Sequence, residues 1–221
     1  RQVEDLAATD ELPGLCNRRH FLRLASRELE GLHHGRQHGL ALLDLDHFKE
    51  INDQQGHQVG DDLLKQVARR LQAAVRQEDL VARLGGDEFV VLLTMIDKDP
   101  LAASLKAEVV AEKIRQSLCL PYQLPSQSQQ VSSSIGIVLF PQMGSSLQEL
   151  ISAADTAMYH AKQSGRNQIA LYDHRFVEKE NNQRIVEQDI RTGLDNQQFE
   201  LYFQPIYDID GKLDTLEALP R

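Results

Sequence analysis

The most informative segment of the sequence is Leu80-Val-Ala-Arg-Leu-Gly-Gly-Asp-Glu-Phe-Val-Val-Leu-Leu93. Two short apolar runs flank the pair Gly85-Gly86 within it. Glycine adopts the positive φ angles of a tight turn without a steric penalty, so this composition is typical of a β-hairpin. The stretch therefore predicts a hairpin with Asp87 and Glu88 at its tip.

A second acidic pair follows another apolar run. Residues 39–45 are continuously apolar except for Asp44, which predicts a buried strand that ends in acid. Asp44 and Asp46 are two residues apart, so the period of a strand places both carboxylates on one face. Carboxylate oxygens suit Mg²⁺, but either acidic pair alone is more often a strand end that faces water.

Helical and extended patterns alternate along the rest of the chain. Asn17 can cap a helix with apolar residues Phe21, Leu24, Ala25 and Leu29 at helical spacing. Further helices are predicted over residues 62–75, 105–118 and 147–161, the last ending at Gly165, and strands over 131–140 and 168–172. This alternation predicts an α/β (α+β) fold, in which helices flank a mixed β-sheet.

Composition narrows the class of protein. A net charge of −9 over 221 residues argues against a nucleic-acid partner. Cys16 and Cys119 lack metal-ligand spacing and are expected to be free thiols in a reducing compartment. The chain has neither an apolar run of membrane-spanning length nor a signal peptide, so we expect a cytoplasmic domain, cut from a longer protein that could be anchored to a membrane upstream.

Taken together, the ordered motifs resemble one known family. They are Asp44-Leu-Asp-His-Phe-Lys-Glu-Ile-Asn52, Gly56-His57, Gly60-Asp61, Arg83-Leu-Gly-Gly-Asp-Glu-Phe89, Ser134-Ile-Gly136, Ala154-Asp155 and Gly165-Arg-Asn167. This set, over Thr9 to Asp173, is similar to the GGDEF family of diguanylate cyclases. The resemblance implies a polymerase-palm-like fold and the condensation of two GTP molecules to cyclic di-GMP, with release of pyrophosphate.

The resemblance also implies roles for the acidic residues. Mg²⁺, with Mn²⁺ as an alternative, would be held by Asp44, the Leu45 carbonyl and Asp87, with Glu88 beside them. Asp87 would also accept the proton of the attacking 3′-hydroxyl, and Lys49 would stabilise the transition state at the α-phosphate.

The remaining matched positions would bind GTP. Asn52 and Asp61 would contact the guanine edge, His57 the substrate, and Gly85 and Gly86 would let the backbone approach the nucleotide. Lys162 and Arg166, four residues apart on one predicted helix face, would hold the terminal phosphates. Taken alone, a Lys–Arg pair at this spacing is more often an ordinary solvated face, and a lone Asn is more often a helix cap.

A second site is implied by Arg76-Gln-Glu-Asp79. Its position resembles the inhibitory RxxD motif of the family, at which the product cyclic di-GMP binds. The alternative is a surface ion pair that closes a helix, because Arg-x-x-Asp by itself is common.

The tail resembles the start of a different domain. The segments 199–206 and 216–221 are similar to the beginning of an EAL phosphodiesterase domain, and Glu217 matches a metal-ligand position of that family. We therefore expect a linker over 1–8, the GGDEF domain over 9–173, a helical connector over 174–196 and an EAL fragment over 197–221 that is too short for hydrolysis.

The resemblance further implies partners. A product made from two GTP molecules requires two domains that face each other, so a homodimer is expected, attached in the full-length protein to EAL and upstream sensor domains. The alternative is a non-catalytic module that binds GTP or cyclic di-GMP and regulates the attached EAL domain.

Overall fold

The computed structural model describes residues 12, 15–30, 35–124, 128–141, 146–173, 175–176, 190–196, 198 and 200–220. The chain divides into two compact units, Arg1–Phe176 and Val177–Arg221. The predicted linker 1–8 lies outside the described residues, as does most of the predicted connector, of which residues 190–195 are helical. None of the described helices combines the length and the apolar character of a membrane span.

The first unit is built on a mixed β-sheet. Its strands are β1 (Cys16–Asn17), β2 (Gln37–Leu45), β3 (Leu80–Gly85), β4 (Glu88–Asp97), β5 (Tyr122–Gln123), β6 (Ser128–Gln129), β7 (Ser133–Phe140) and β8 (Ile169–Leu171). Six of them form one sheet in the order β1-β3-β4-β2-β7-β8, while β5 and β6 pair separately. The central strand β2 is antiparallel to both β4 and β7, and the outer pairs β1–β3 and β7–β8 are parallel.

Helices cover both faces of this sheet, as expected. They are α1 (Arg18–Glu30), α2 (Phe48–Gln55), α3 (His57–Ala74), α4 (Pro100–Cys119) and α5 (Leu147–Gln163). Leu40 and Leu42 of β2 pack in the core with α1 and α5, whereas Leu43 and Leu45 pack with α2, α3 and α4. Alternate residues of one strand thus serve two separate cores, which explains why its apolar run is continuous. The predicted α/β fold is confirmed.

Several helix boundaries differ from the predicted ones. The segment Phe48–Gln55 forms a helix that the sequence analysis leaves unassigned, and α3 begins at His57 rather than at residue 62. Gly56, at φ +85°, separates these two helices. Helix α4 begins at Pro100 instead of residue 105, because the Asp99 side chain accepts a hydrogen bond from the Ala102 amide at 2.8 Å. Asn17 caps α1 as predicted, its side chain accepting from the His20 amide at 2.9 Å.

The second unit contains a β-hairpin. Strands β9 (Leu201–Tyr207) and β10 (Leu213–Pro220) are antiparallel, with Gln204 opposite Glu217. Gly211 lies in the turn between them at φ +76°. The tail therefore forms two paired strands joined by a tight turn.

Candidate active site

The tip of the β3–β4 hairpin lies beside the end of the central strand. Gly86 has φ +53°, in the left-handed region that favours glycine, and its carbonyl accepts a hydrogen bond from Arg83 Nε at 2.9 Å. The Leu45 amide donates to the Asp87 carbonyl at 3.4 Å. An added Cβ at Gly85 or Gly86 would meet no atom within 4 Å, so the space above the turn is open.

Three carboxylates predicted for the metal site lie on adjacent backbone segments at this junction. Asp44 is opposite Glu88 in the β2–β4 register, and Asp87 immediately precedes Glu88. Burial raises the pKa of Asp44, and the charges of Asp87 and Asp46 raise it further, while Lys162 opposes the rise. Burial also raises the pKa of Glu88, as do the charges of Asp44, Asp155 and Asp87. These carboxylates disfavour one another's charge, so a bound cation would be stabilised here.

A positively charged side chain contacts this group of carboxylates. Lys162, near the end of α5, places its Nζ atom 2.8 Å from Asp44 Oδ2. The Lys162 side chain is 27% exposed and that of Asp44 is 14% exposed, so the pair is partly shielded from solvent. Lys162, which is predicted to bind phosphate, therefore forms an ion pair with Asp44, which is predicted to bind the metal.

The donor set can be compared with what a metal requires. Across the described ranges, no three His, Cys, Asp or Glu side chains form a group that could hold a metal ion. The predicted direct ligands are two carboxylates and a carbonyl oxygen, with Glu88 beside them. Mg²⁺ usually binds one or two carboxylates and takes further ligands from substrate phosphates and water. The hard oxygen atoms of Asp44, Asp87 and the Leu45 carbonyl fit such a site, and magnesium remains a prediction.

Asp46 has a different environment from Asp44. It is only 4% exposed, and its carboxylate accepts hydrogen bonds from Ser132 Oγ at 2.6 Å, Ser134 Oγ at 2.8 Å and the Asn167 amide at 3.1 Å. Its oxygen atoms are thus engaged within the protein. Asp46 fixes the end of β2 to two other segments of the chain.

The predicted guanine-binding residues lie on α2 and α3. Asn52 Oδ1 is buried, and the structure gives it no hydrogen-bond partner within the described part of the chain. A Cβ atom at Gly60 would lie 1.9 Å from this oxygen, so only glycine permits the observed position of Asn52. Asp61 follows Gly60 directly and is exposed, as are His57 at the start of α3 and Lys49 in the first turn of α2.

The predicted shared helix face of Lys162 and Arg166 is wrong. Helix α5 ends at Gln163, and Arg166 lies beyond it at φ +61°. The Arg166 amide donates to the Ala161 carbonyl and the Gly165 amide donates to the Lys162 carbonyl, the two hydrogen bonds of a Schellman motif. Gly165, at φ +119°, ends the helix as predicted and moves Arg166 into a loop.

The Arg76–Asp79 segment forms a turn between α3 and β3. Asp79 Oδ2 accepts from the Arg76 amide at 3.0 Å, and Asp79 Oδ1 accepts from the Thr94 amide at 3.0 Å. Arg76 and Asp79 line a pocket of about 300 Å³ with Cys16 and Gln72. The Asp79 carboxylate therefore holds the turn through backbone amides, rather than through the ion pair of the alternative interpretation.

Asp155 is a neighbour of the site that was not predicted from the sequence. This residue lies on α5, seven positions before Lys162, and its charge raises the pKa of Glu88. Seven residues are two helical turns, so the spacing to Lys162 was the available signal that both side chains share a face.

The domain is a mixed β-sheet flanked by helices that carries an acidic β-hairpin. Comparison with known proteins identifies the family of such domains to which it belongs. A family model described as "Diguanylate cyclase, GGDEF domain" matches residues 7–168. Because the match covers most of the chain, the chain belongs to the GGDEF family of diguanylate cyclase domains.

Individual relatives extend this comparison. The chain is 38% identical over 223 residues to the bifunctional diguanylate cyclase/cyclic di-GMP phosphodiesterase MucR of Pseudomonas aeruginosa, covering 100% of this chain and 32% of that protein. It is 34% identical to the cyclic di-GMP phosphodiesterase NbdA of the same species, covering 99% of this chain and 28% of NbdA. The chain thus spans about a third or less of these relatives.

A solved structure supports the fold. The crystal structure of the GGDEF domain of YfiN (TpbB) from Pseudomonas aeruginosa superposes with a TM-score of 0.67 at 40% identity. The match covers 72% of this chain and 98% of that domain. The mixed sheet flanked by helices is therefore the GGDEF architecture.

Proposed function

We propose that the chain is a Mg²⁺-dependent diguanylate cyclase that condenses two GTP molecules to cyclic di-GMP and two pyrophosphates. One observation carries the proposal: the end of β2 and the β3–β4 turn bring Asp44, Asp87 and Glu88 together, with Lys162 Nζ 2.8 Å from Asp44. Carboxylates that can bind a hard cation therefore lie beside a lysine that can bind phosphate.

Each side chain has a defined role in this proposal. Asp44, the Leu45 carbonyl and Asp87 would hold Mg²⁺, with Glu88 beside them. When bound, the metal would supply positive charge that offsets the triphosphate and makes the 3′-hydroxyl easier to deprotonate. Asp87 accepts the proton of that hydroxyl, and exposed Lys49 offsets charge that develops at the α-phosphate.

The nucleotide is held on either side of this centre. Asn52 and Asp61 contact the guanine edge, with His57 nearby on α3, while Lys162 and Arg166 hold the terminal phosphates. The open space above Gly85 and Gly86 admits the nucleotide close to the backbone. Lys162 would exchange Asp44 for phosphate as the metal and the nucleotide enter.

Turnover of GTP tests the proposal. The purified chain, incubated with GTP and Mg²⁺, should release two pyrophosphates for each cyclic di-GMP formed, and removal of the metal with EDTA should stop the reaction. ATP should give no cyclic dinucleotide. Saturable GTP binding without any product would reject the cyclase and leave the binding module.

A second candidate is that binding module, a domain that binds GTP or cyclic di-GMP and regulates an attached phosphodiesterase. The observation in its favour is that NbdA, named as a phosphodiesterase, aligns with 99% of this chain. The presence of Asp44, Asp87 and Glu88 favours catalysis.

We further propose that the hairpin of the second unit begins an EAL domain. One face of the hairpin is wholly apolar and the opposite face pairs Gln204 with Glu217, while the large apolar residues of both faces are exposed. An isolated two-stranded hairpin is marginally stable, so a larger domain is needed to cover these faces. In the full-length protein, this EAL domain and an upstream sensor domain would be attached partners.

Replacing Gly60 with alanine should weaken GTP binding by about tenfold, since the added methyl group displaces the Asn52 carboxamide from the guanine edge. Calorimetric titration with 3′-deoxy-GTP, which cannot react, measures this loss. The control is the same change in an Asn52→Ala background, where it should cost little. An equal loss in both backgrounds would show that the glycine only serves the packing of α3 against Phe48.

Replacing Arg76 with alanine should relieve inhibition by cyclic di-GMP and leave basal synthesis unchanged. The expected shift of the inhibition curve is at least about tenfold, because a charged hydrogen-bond donor to the ligand is lost. Asp79→Ala should also lower stability, since the Arg76 and Thr94 amides lose their acceptor. Unchanged inhibition in Arg76→Ala would exclude this turn as the product site.

A further inference from the structure

The loop that follows α5 holds an unusual backbone. Arg166 has φ +61° and the next residue, Asn167, has φ +49°. Two consecutive non-glycine residues in the left-handed region are disfavoured by their Cβ atoms, so surrounding contacts must hold them there. The Arg166 amide is held by its Schellman hydrogen bond to the Ala161 carbonyl, and Asn167 has partners of its own.

Asn167 is held from two sides by distant segments. Its amide donates to Asp46 Oδ2 at 3.1 Å, and Asp46 is buried at the end of β2. Its side-chain oxygen and its carbonyl both accept from Arg115 Nη1 of α4, at 2.7 Å and 3.3 Å. The loop therefore has one anchor on the central strand and another on α4.

The Arg115 guanidinium is itself fixed. Arg115 Nε and Nη2 donate to the two carboxylate oxygens of Glu112 at 2.8 Å and 2.7 Å, and Gln116 donates to the same carboxylate at 2.7 Å. The Arg115 side chain is 21% exposed and that of Glu112 is 39% exposed, so this bidentate pair is partly accessible to solvent. A guanidinium held at two nitrogen atoms presents the third toward Asn167 in a defined direction.

We propose that Arg115 is a positioning residue for the terminal phosphates of the nucleotide, acting through Asn167 on Arg166. The inference rests on the proposed function, in which Arg166 binds those phosphates. Asn167 directly follows Arg166, so its side-chain and backbone contacts determine where the Arg166 backbone lies. The same hydrogen bonds reach Asp46, two residues beyond Asp44. They connect the loop that contains Arg166 with the end of β2 at which the metal is proposed to bind.

The test compares two nucleotides that differ in the phosphates they offer to Arg166. Calorimetric titration measures the affinity for 3′-deoxy-GTP, which has the terminal phosphates but cannot react, and for GMP, which lacks them. Arg115→Ala should weaken binding of 3′-deoxy-GTP by about tenfold and leave that of GMP unchanged. Arg115→Lys should recover part of the loss, because lysine keeps a donor but not the bidentate fork.

Two further variants separate positioning from a general structural role. In an Arg166→Ala background, Arg115→Ala should cost almost nothing further, since the residue through which it acts is gone. Lys106→Ala removes another ion pair of the same helix, with Asp97, and should leave both affinities unchanged.

The outcomes are distinct. Equal losses for GMP and 3′-deoxy-GTP, or full additivity with Arg166→Ala, would overturn the positioning role while the cyclase remains. An unaltered chain that binds neither nucleotide would overturn the proposed function, and this inference with it.

Discussion

Replacing Asp87 with alanine should lower the rate of cyclic di-GMP synthesis by at least about a thousandfold, because the metal loses a ligand and the 3′-hydroxyl loses its base. The fold should persist, since Asp87 contributes its backbone carbonyl, not its side chain, to the hydrogen bond with Leu45. The measurement is the initial rate of product formation at saturating GTP.

The control for this variant lies at the other end of β4, the strand that Asp87 precedes. Asp97 ends β4 far from the hairpin turn and pairs with Lys106, so Asp97→Ala removes a carboxylate without touching the site. It should retain nearly full activity. Wild-type rates in Asp87→Ala, with an unchanged melting temperature, would show that the metal and base assignments are incorrect.

Replacing Gly136 with alanine should destabilise the first unit by about 3 kcal/mol or more, an unusually large effect for one methyl group. A Cβ atom there would lie 2.1 Å from the Ala154 carbonyl oxygen and 2.2 Å from the Met158 amide nitrogen. Both atoms belong to the backbone of α5, so no side-chain rotation can relieve the overlap. The helix that carries Lys162 must therefore move away from the sheet.

Urea denaturation measures this loss as a lower transition midpoint. Gly39→Ala is the matched control, because Gly39 lies on the adjacent strand β2 and its added Cβ would meet Ile96 Cδ1 at 3.1 Å. The end of a flexible side chain can shift, so the cost should be about 1 kcal/mol or less. Equal midpoints for Gly136→Ala and the unaltered chain would contradict the observed contact between α5 and β7.

Much of the fold follows from local patterns. The glycine pair with apolar flanks predicted the β3–β4 hairpin, and the apolar run that ends at Asp44 predicted β2. Both predictions succeed because a buried strand and a tight turn each require a recognisable pattern of consecutive residues. Helix α2 was missed because its eight residues offer few apolar positions, of which Phe48 and Ile51 are buried.

Less of the candidate site could be predicted from the sequence. Its residues were assigned by resemblance, and the position of Arg166 was wrong because the Schellman termination at Gly165 depends on backbone conformation rather than side-chain spacing. The links from Asn167 to Arg115 and Asp46 join residues 52 and 121 positions apart. No local periodicity reports such contacts.

The dependence of product formation on protein concentration distinguishes a cyclase from a binding module. The purified chain is incubated with saturating GTP and Mg²⁺, and cyclic di-GMP is quantified by chromatography over a wide range of chain concentrations. A rate that rises faster than the protein concentration is the expected result, since two GTP-loaded domains must meet for each product. Absence of cyclic di-GMP at every concentration, despite saturable GTP binding, would contradict the proposed cyclase activity.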